Sequence, residues 1–184
     1  MAKPPAKPPT RATPADRKSA HGFASPQHNH EHCIDDAVAA AARLCDSRGA
    51  RLTEQRRKVL QLVWSSHEPI GAYTLLAAMQ KSGKMVAPPT VYRALDFLVE
   101  QGLVHRIESR NAYVGCAAPN ASHVGQFLLC GSCGSAAELD EAAIGSAIAS
   151  SAASVGFEVT RATVEILGTC PNCRERGRDA ARAH

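Results

Sequence analysis

Apolar residues recur at helical spacing from Cys33 to about Gly102, then at the tighter spacing of strands. "CIDDAVAAAARLCDSRG" predicts an Ala-rich helix stopped by Gly49. "LTEQRRKVLQLVWSS" predicts a second, with Thr53 as N-cap and Val59, Leu62 and Val63 on one face. "IGAYTLLAAMQKSG" gives a short third helix. "PPTVYRALDFLVEQG" gives a fourth, capped by Thr90 after two prolines that halt the preceding chain, and closed by Gly102. "LVHRIESRNAYVGC" reads as a hairpin turning at Ser109, Arg110 and Asn111. Helices followed directly by a hairpin are the plan of a winged helix-turn-helix.

Beyond Cys116 the texture changes. "GQFLLC" and "SAAELD" read as strands, "DEAAIGSAIASSAASVG" as a small-residue helix ending at Gly156, and "FEVTRATVEILG" as a long, partly alternating strand. The fold class is therefore α+β: a winged helix over 33–114, then a small α/β unit over 115–175. Residues 176–184 remain as a C-terminal tail. Residues 1–32, rich in Pro, Ala, Lys and Ser, read as a disordered tail. Its "HNHEHC" run offers His28, His30, His32 and Cys33, a loose metal trap or simply a polar tail.

Charge adds little. The net charge of +4 sits mostly in the tail, so any basic surface on the folded part is local. The best local candidate is "SRGARLTEQRRK", with Arg48, Arg51, Arg56, Arg57 and Lys58. No apolar run is long enough to span a bilayer and no secretory signal is visible, so the expected location is cytoplasmic, with no membrane partner. No P-loop or nucleophile elbow is present, and neither an enzyme activity nor a small-molecule substrate is expected.

The fourth helix carries the first chemistry. Val91, Leu95 and Leu98 share one face; Tyr92, Arg93 and Asp96 share another. Arg93 has the reach to bond a guanine edge or a phosphate, and Tyr92 a thymine methyl or the backbone, although a solvated face would look alike. With Tyr73 and Thr90 they form the candidate contacts to double-stranded DNA.

The second chemistry is cysteine. In a reducing compartment, Cys130 and Cys133 in "CGSCG", with Cys170 and Cys173 in "CPNC", predict a structural four-cysteine zinc site. A thiol redox pair is the alternative, yet "CPNC" lies among charged residues near the chain end rather than after a strand at a helix start. The α/β unit has a thin core and needs such a staple or a partner chain. Cys33 and Cys45 fit neither site and are expected on the first helix.

Together "RLTEQRRKVL", "PPTVYRALDFLVEQGLVHRIES" and "CGSCG…CPNC" resemble the ferric uptake regulator superfamily of metal-dependent repressors, from about Ala37 to Arg174. The resemblance implies a homodimer with the α/β unit as dimerisation domain. Iron and peroxide sensors of the superfamily carry a "HHDH" run before the first cysteine pair; here "HVGQFLLC" holds only His123. The chain thus looks like the zinc uptake regulator branch. That branch implies a regulatory zinc on His105, Cys116, His123 and Glu138, hence two zinc ions per chain. Two imidazoles, a thiolate and a carboxylate also suit tetrahedral Zn²⁺ chemically. The implied function is a zinc-loaded homodimer that binds AT-rich palindromic operators and represses zinc-uptake genes. A superfamily member sensing another metal or peroxide, or a thiol redox protein, is the alternative.

Overall fold

The computed structural model describes residues 20–21, 23, 30–81, 86–119 and 124–182. Helix α1, His30–Ser47, buries Ala41 and Cys45, while Cys33 lies half-buried near its start. Its chain reverses through Gly49 at φ +64°, where the Ala50 N–H returns to the Cys45 carbonyl at 2.8 Å. Helix α2, Glu54–Trp64, starts where expected: the Thr53 hydroxyl accepts from the Arg56 N–H at 3.4 Å. Its buried side chains are Val59, Leu60 and Val63, with Leu62 at the margin.

Ile70–Gly71 was expected to open the third helix and instead forms strand β2, pairing with Tyr113 and Ala112. Helix α3, Ala72–Lys81, follows and buries Leu75 and Met79. Helix α4, Pro88–Glu100, corrects the Thr90 cap. Ala87 is the N-cap, without a side-chain bond, and both prolines lie inside the first turn. A proline there has a suitable φ and lacks only an N–H that would be orphaned anyway, so the prolines start the helix rather than halt the chain before it. Val91, Ala94, Leu95 and Leu98 form the buried face of α4 and lock into one core with α1, α2 and α3.

Strands β3, Val104–Ile107, and β4, Ala112–Gly115, make the expected hairpin around a 3₁₀ turn at Glu108–Arg110. Asn111 closes the turn at φ +44°, a left-handed position that Asn tolerates. The three-stranded sheet runs β2-β4-β3 against the helices and completes the winged helix-turn-helix.

The second sheet has the order β1-β6-β5-β7. Strands β5, Gly125–Cys130, and β6, Ala136–Leu139, are antiparallel around the first cysteine turn. Helix α5, Ala142–Ser154, is the crossover that lets β7, Thr163–Gly168, run parallel to β5. The expected strand from Phe157 is therefore only half as long, because β5 offers partners from Gly125 to Cys130 alone. The readings of the chain ends also change. Ala20–His21 forms strand β1 against Leu139 and Glu138, and α1 begins at His30, inside the stretch read as disordered. Backbone pairing along the β6 edge needs no large apolar side chains, and Glu31 in the first turn of α1 complements the helix dipole. At the other end α6, Pro171–Arg182, continues as helix through most of the predicted C-terminal tail.

The cores meet at the hairpin. Ile107 of β3 packs not with the helices but with Phe127, Leu129 and Ala136 of the second sheet. The two halves of the chain thus share β3, which carries His105 of the second cluster described next.

Candidate metal centres and DNA-binding face

The first cluster is built by strand ends. Cys130 is the last residue of β5, Cys133 lies in the turn to β6, Cys170 follows β7, and Cys173 sits in the first turn of α6, so "CPNC" does stand after a strand at a helix start, contrary to the expectation from the sequence. Parallel pairing of Cys130 with Gly168 brings the two C-x-x-C turns side by side. One sulfur of each cysteine lies within 4.8 Å of all the others. Cys133 Sγ and Cys170 Sγ stand 3.7 Å apart, too far for a disulfide. A tetrahedral ion with roughly 2.3 Å metal–sulfur bonds sets its ligands about 3.8 Å apart, so the spacing fits zinc.

The surroundings act unevenly on the thiols. Backbone N–H groups of Cys170 and then Cys133 hold the Cys130 thiol down to about 5, the Cys170 N–H lying 3.4 Å from the sulfur. The Ser135 hydroxyl, 3.1 Å from Cys133 Sγ, lowers that thiol as well. Burial and then its neighbour Cys170 push Cys173 up to about 12, against the pull of Arg176, whose Nη2 donates to Cys173 Sγ at 3.2 Å. Without a cation the cluster therefore shares its protons unevenly; a divalent cation lets all four sulfurs ionise. Arg176 and Ser135 were not picked out from the sequence. The available signal was position: Arg176 is three residues on from Cys173 along one helix face.

The second cluster draws on both halves of the chain. His105 comes from β3, Cys116 follows β4, and Glu138 lies on β6, with one donor atom of each within 4.8 Å of the others. His105 Nε2 meets Glu138 Oε1 at 2.9 Å, while the Ala117 N–H donates to Glu138 Oε2 at 3.0 Å and orients the carboxylate. Phe127 tilts against the His105 ring, centroids 5.1 Å apart, and walls the site from the second core. Cys116 is buried; burial first and the Glu138 charge second push its thiol up to about 12. An imidazole, a thiol and a carboxylate at this spacing fit a borderline divalent ion such as Zn²⁺. His123 lies outside the described residues. Gly125, two residues on, sits so near His105 that a Cβ there would be 3.4 Å from Nδ1 and 2.9 Å from the Phe127 ring. Only glycine fits there without displacing the ring.

The DNA candidates cluster on one side of the winged helix. Tyr73 of α3 is 76% exposed and Tyr92 of α4 is 39% exposed, and their side chains neighbour each other. Arg93, Thr90, Thr53 and Arg56 line a groove of about 260 Å³ between the N-terminal ends of α2 and α4. The expected basic run is partly committed to structure. Arg48 caps the end of α4 through the Gln101 carbonyl at 2.8 Å, and Arg56 stacks 3.5 Å over Phe97. That leaves Arg93 as an exposed cation on α4 itself.

A winged helix joined to a thiolate-rich α/β domain, with a second metal cluster at the junction, defines a metal-binding DNA-regulator architecture. Comparison with known proteins makes this specific: residues 47–167 match the ferric uptake regulator family, to which the chain belongs. Members of this family are transcriptional regulators rather than enzymes, which sets aside the thiol redox alternative. The chain is 38% identical over 141 residues to the zinc uptake regulation protein of Escherichia coli (strain K12), covering 76% of this chain and 82% of that protein. It is 31% identical over 129 residues to the zinc uptake regulation protein of Mycobacterium tuberculosis, covering 68% and 96%. Its fold matches the structure of a zinc uptake regulator complexed with zinc and DNA at a TM-score of 0.75, with 36% identity over 79% of this chain and 97% of that one. The crystal structure of holo XcZur matches at 0.72, with 42% identity over 77% and 99%. Within the family the chain falls on the zinc uptake regulator branch, a metal-responsive repressor type with the winged-helix and dimerisation domains. Among the described residues, no helix is long and apolar enough to cross a membrane.

Proposed function

We propose that the chain is a zinc-responsive repressor: as a zinc-loaded homodimer in the cytoplasm it binds AT-rich palindromic operators and represses zinc-uptake genes. The observation that carries this is the convergence of His105 from the hairpin of the DNA-binding domain, Cys116 from the junction just after it, and Glu138 from the second sheet. A group held by all three joins the two domains at their shared hairpin. Zinc supplies a divalent charge that takes thiolate, imidazole and carboxylate together. His123 is the fourth ligand in this reading, by the resemblance to the zinc uptake regulator branch. The cluster of Cys130, Cys133, Cys170 and Cys173 holds a second, structural zinc, giving two ions per chain.

The ligands do the orienting. Glu138, fixed by the Ala117 N–H, faces His105 across the domain junction, and Cys116 closes the third side. Drawing them together selects one orientation of the winged helix from those the junction permits. In a dimer that orientation sets the spacing between two α4 helices, and palindromic half-sites one helical turn apart need that spacing. Arg93, Tyr92, Thr90 and Tyr73 contact the DNA. Coupling of about 1–3 kcal/mol between the regulatory site and DNA would change affinity roughly 5- to 150-fold.

Titrating zinc into chelator-treated protein while following binding to an AT-rich palindrome tests the proposal. A gain in affinity that tracks the second equivalent per chain is expected. Equal affinity with one and two equivalents, or a gain with manganese and none with zinc, would rule it out.

A further inference from the structure

The turn at the tip of the β3–β4 hairpin is fastened to the four-cysteine knuckle. Arg110 Nη1 donates to the Gly134 carbonyl at 2.6 Å, and Nη2 donates to the Cys130 carbonyl at 3.1 Å. These carbonyls bracket the first C-x-x-C turn, which the Gly134 N–H closes back onto Cys130. From the other side, Glu165 of β7 accepts the Glu108 and Ser109 N–H groups at 2.7 and 3.2 Å. Burial alone would raise the Glu165 carboxyl, but hydrogen bonds from Ser109 and Glu108 outweigh it and hold the group below its ordinary value. The loop before β2 reaches the same knuckle: the Ala136 N–H donates to the His67 carbonyl at 2.9 Å.

From this geometry we propose that Arg110 is a positioning residue for DNA binding, through which the four-cysteine knuckle sets the angle of the winged helix. The proposal deepens the repressor reading and rests on it. Beyond His105 and Cys116, only the packing of Ile107 and the two hydrogen bonds to Glu165 described above would otherwise hold the hairpin against pivoting. Arg110, in the turn at the hairpin tip, adds a bidentate tie to the knuckle itself and so resists that pivot. Its planar guanidinium reaches both carbonyls at once, which a lysine ammonium does not. The carbonyls are presented in this pose because Cys130 and Cys133 converge on Cys170 and Cys173. The structural cluster is therefore more than a staple for the second domain. It is the seat against which the DNA-binding domain is aligned.

The test uses the full-length, zinc-loaded protein and its Arg110→Leu and Arg110→Lys variants. Hydrogen exchange across residues 104–115, zinc content, and affinity for an AT-rich palindrome over a range of salt are measured together. For Arg110→Leu the hairpin amides should exchange at least about tenfold faster, and palindrome affinity should fall on the order of tenfold, as expected when hydrogen bonds from a charged donor are lost. Zinc content and the slope of affinity against salt should match the parent. Arg110→Lys should fall between the two, and it carries the same test if the leucine variant does not fold. Unchanged hairpin exchange overturns the proposal, and so does a salt slope reduced by about one per chain without faster exchange, the mark of a lost phosphate contact. If the parent shows no zinc-dependent gain in DNA affinity, the repressor reading fails, while the exchange comparison still decides the role of Arg110.

Discussion

Buried beside Glu138 with its thiol raised to about 12, Cys116 keeps its proton at neutral pH until a cation displaces it. Metal uptake at the junction therefore competes with protons. For the one proton this thiol gives up, affinity should fall about tenfold per pH unit as pH is lowered from 8 to 6. Calorimetry in two buffers of different ionisation enthalpy counts that proton directly; no release on filling the junction site would contradict the assignment. The sign for folding is separate. A thiol raised from 9.0 to about 12 in the folded chain contributes stability that is complete below pH 9 and is lost as pH rises towards 12. Metal-free protein should accordingly melt at lower temperature as pH climbs through that window. Cys116→Ser should keep one zinc per chain, in the four-cysteine cluster, and lose the zinc-dependent gain in operator affinity. Arg93→Ala separates reading from sensing: both metal clusters should stay filled while operator binding weakens by about 1–3 kcal/mol if the guanidinium reads a base. Equal losses on operator and random DNA would make Arg93 a phosphate contact instead.

At the scale of elements, the four-cysteine cluster joins the ends of β5 and β7 to the start of α6, so its loss should loosen all three. Cys130→Ser or Cys173→Ser should shed tightly held zinc and lower the melting temperature, because structural zinc binding is also folding energy. An unchanged melt with full metal content would rule out the staple. Which elements the sequence made legible follows from how each is held. Helices α2 and α4 bury complete apolar stripes, and β5 is flanked by turn residues, so periodicity finds them. Strand β2 is two residues long and exists only through pairing with β4, a partner far along the chain. The alternation after Phe157 misleads for the same reason, since β7 extends only as far as β5 can pair with it. The cysteine pairs declare themselves by spacing, whereas Arg110 and Glu165 carry no local signal. Their contacts lie 20 or more residues away, and a charged residue in a turn usually just faces solvent.

Across the whole molecule, one face remains unexplained by the monomer. Strand β7 is an edge of the second sheet, and Leu167 on it is 73% exposed, with Ile166 at 42%. Val155 and Phe157, in the connection that leads to β7, are 79% and 66% exposed. An open strand edge flanked by large apolar side chains invites pairing, and soluble chains seldom leave one bare. The second domain also buries little of its own: among the described residues, its core cluster holds only Phe127, Leu129 and Ala136 with Ile107 of the hairpin, and α5 has no buried residue. A second copy of the chain is the occupant this face suits, because members of this family are dimeric regulators and a two-fold dimer needs a self-complementary surface. Leu167→Asp tests it. Leu167 supplies no metal ligand, and its exposure means that the substitution leaves the monomer core intact. Sedimentation equilibrium should show the variant as a monomer at concentrations where the parent is a dimer. Operator affinity should then fall far more steeply than non-specific affinity, since two linked recognition helices gain from effective concentration and single ones do not. A Leu167→Asp protein that remained dimeric would move the interface elsewhere, and with it the spacing of the two α4 helices on which the proposed operator recognition depends.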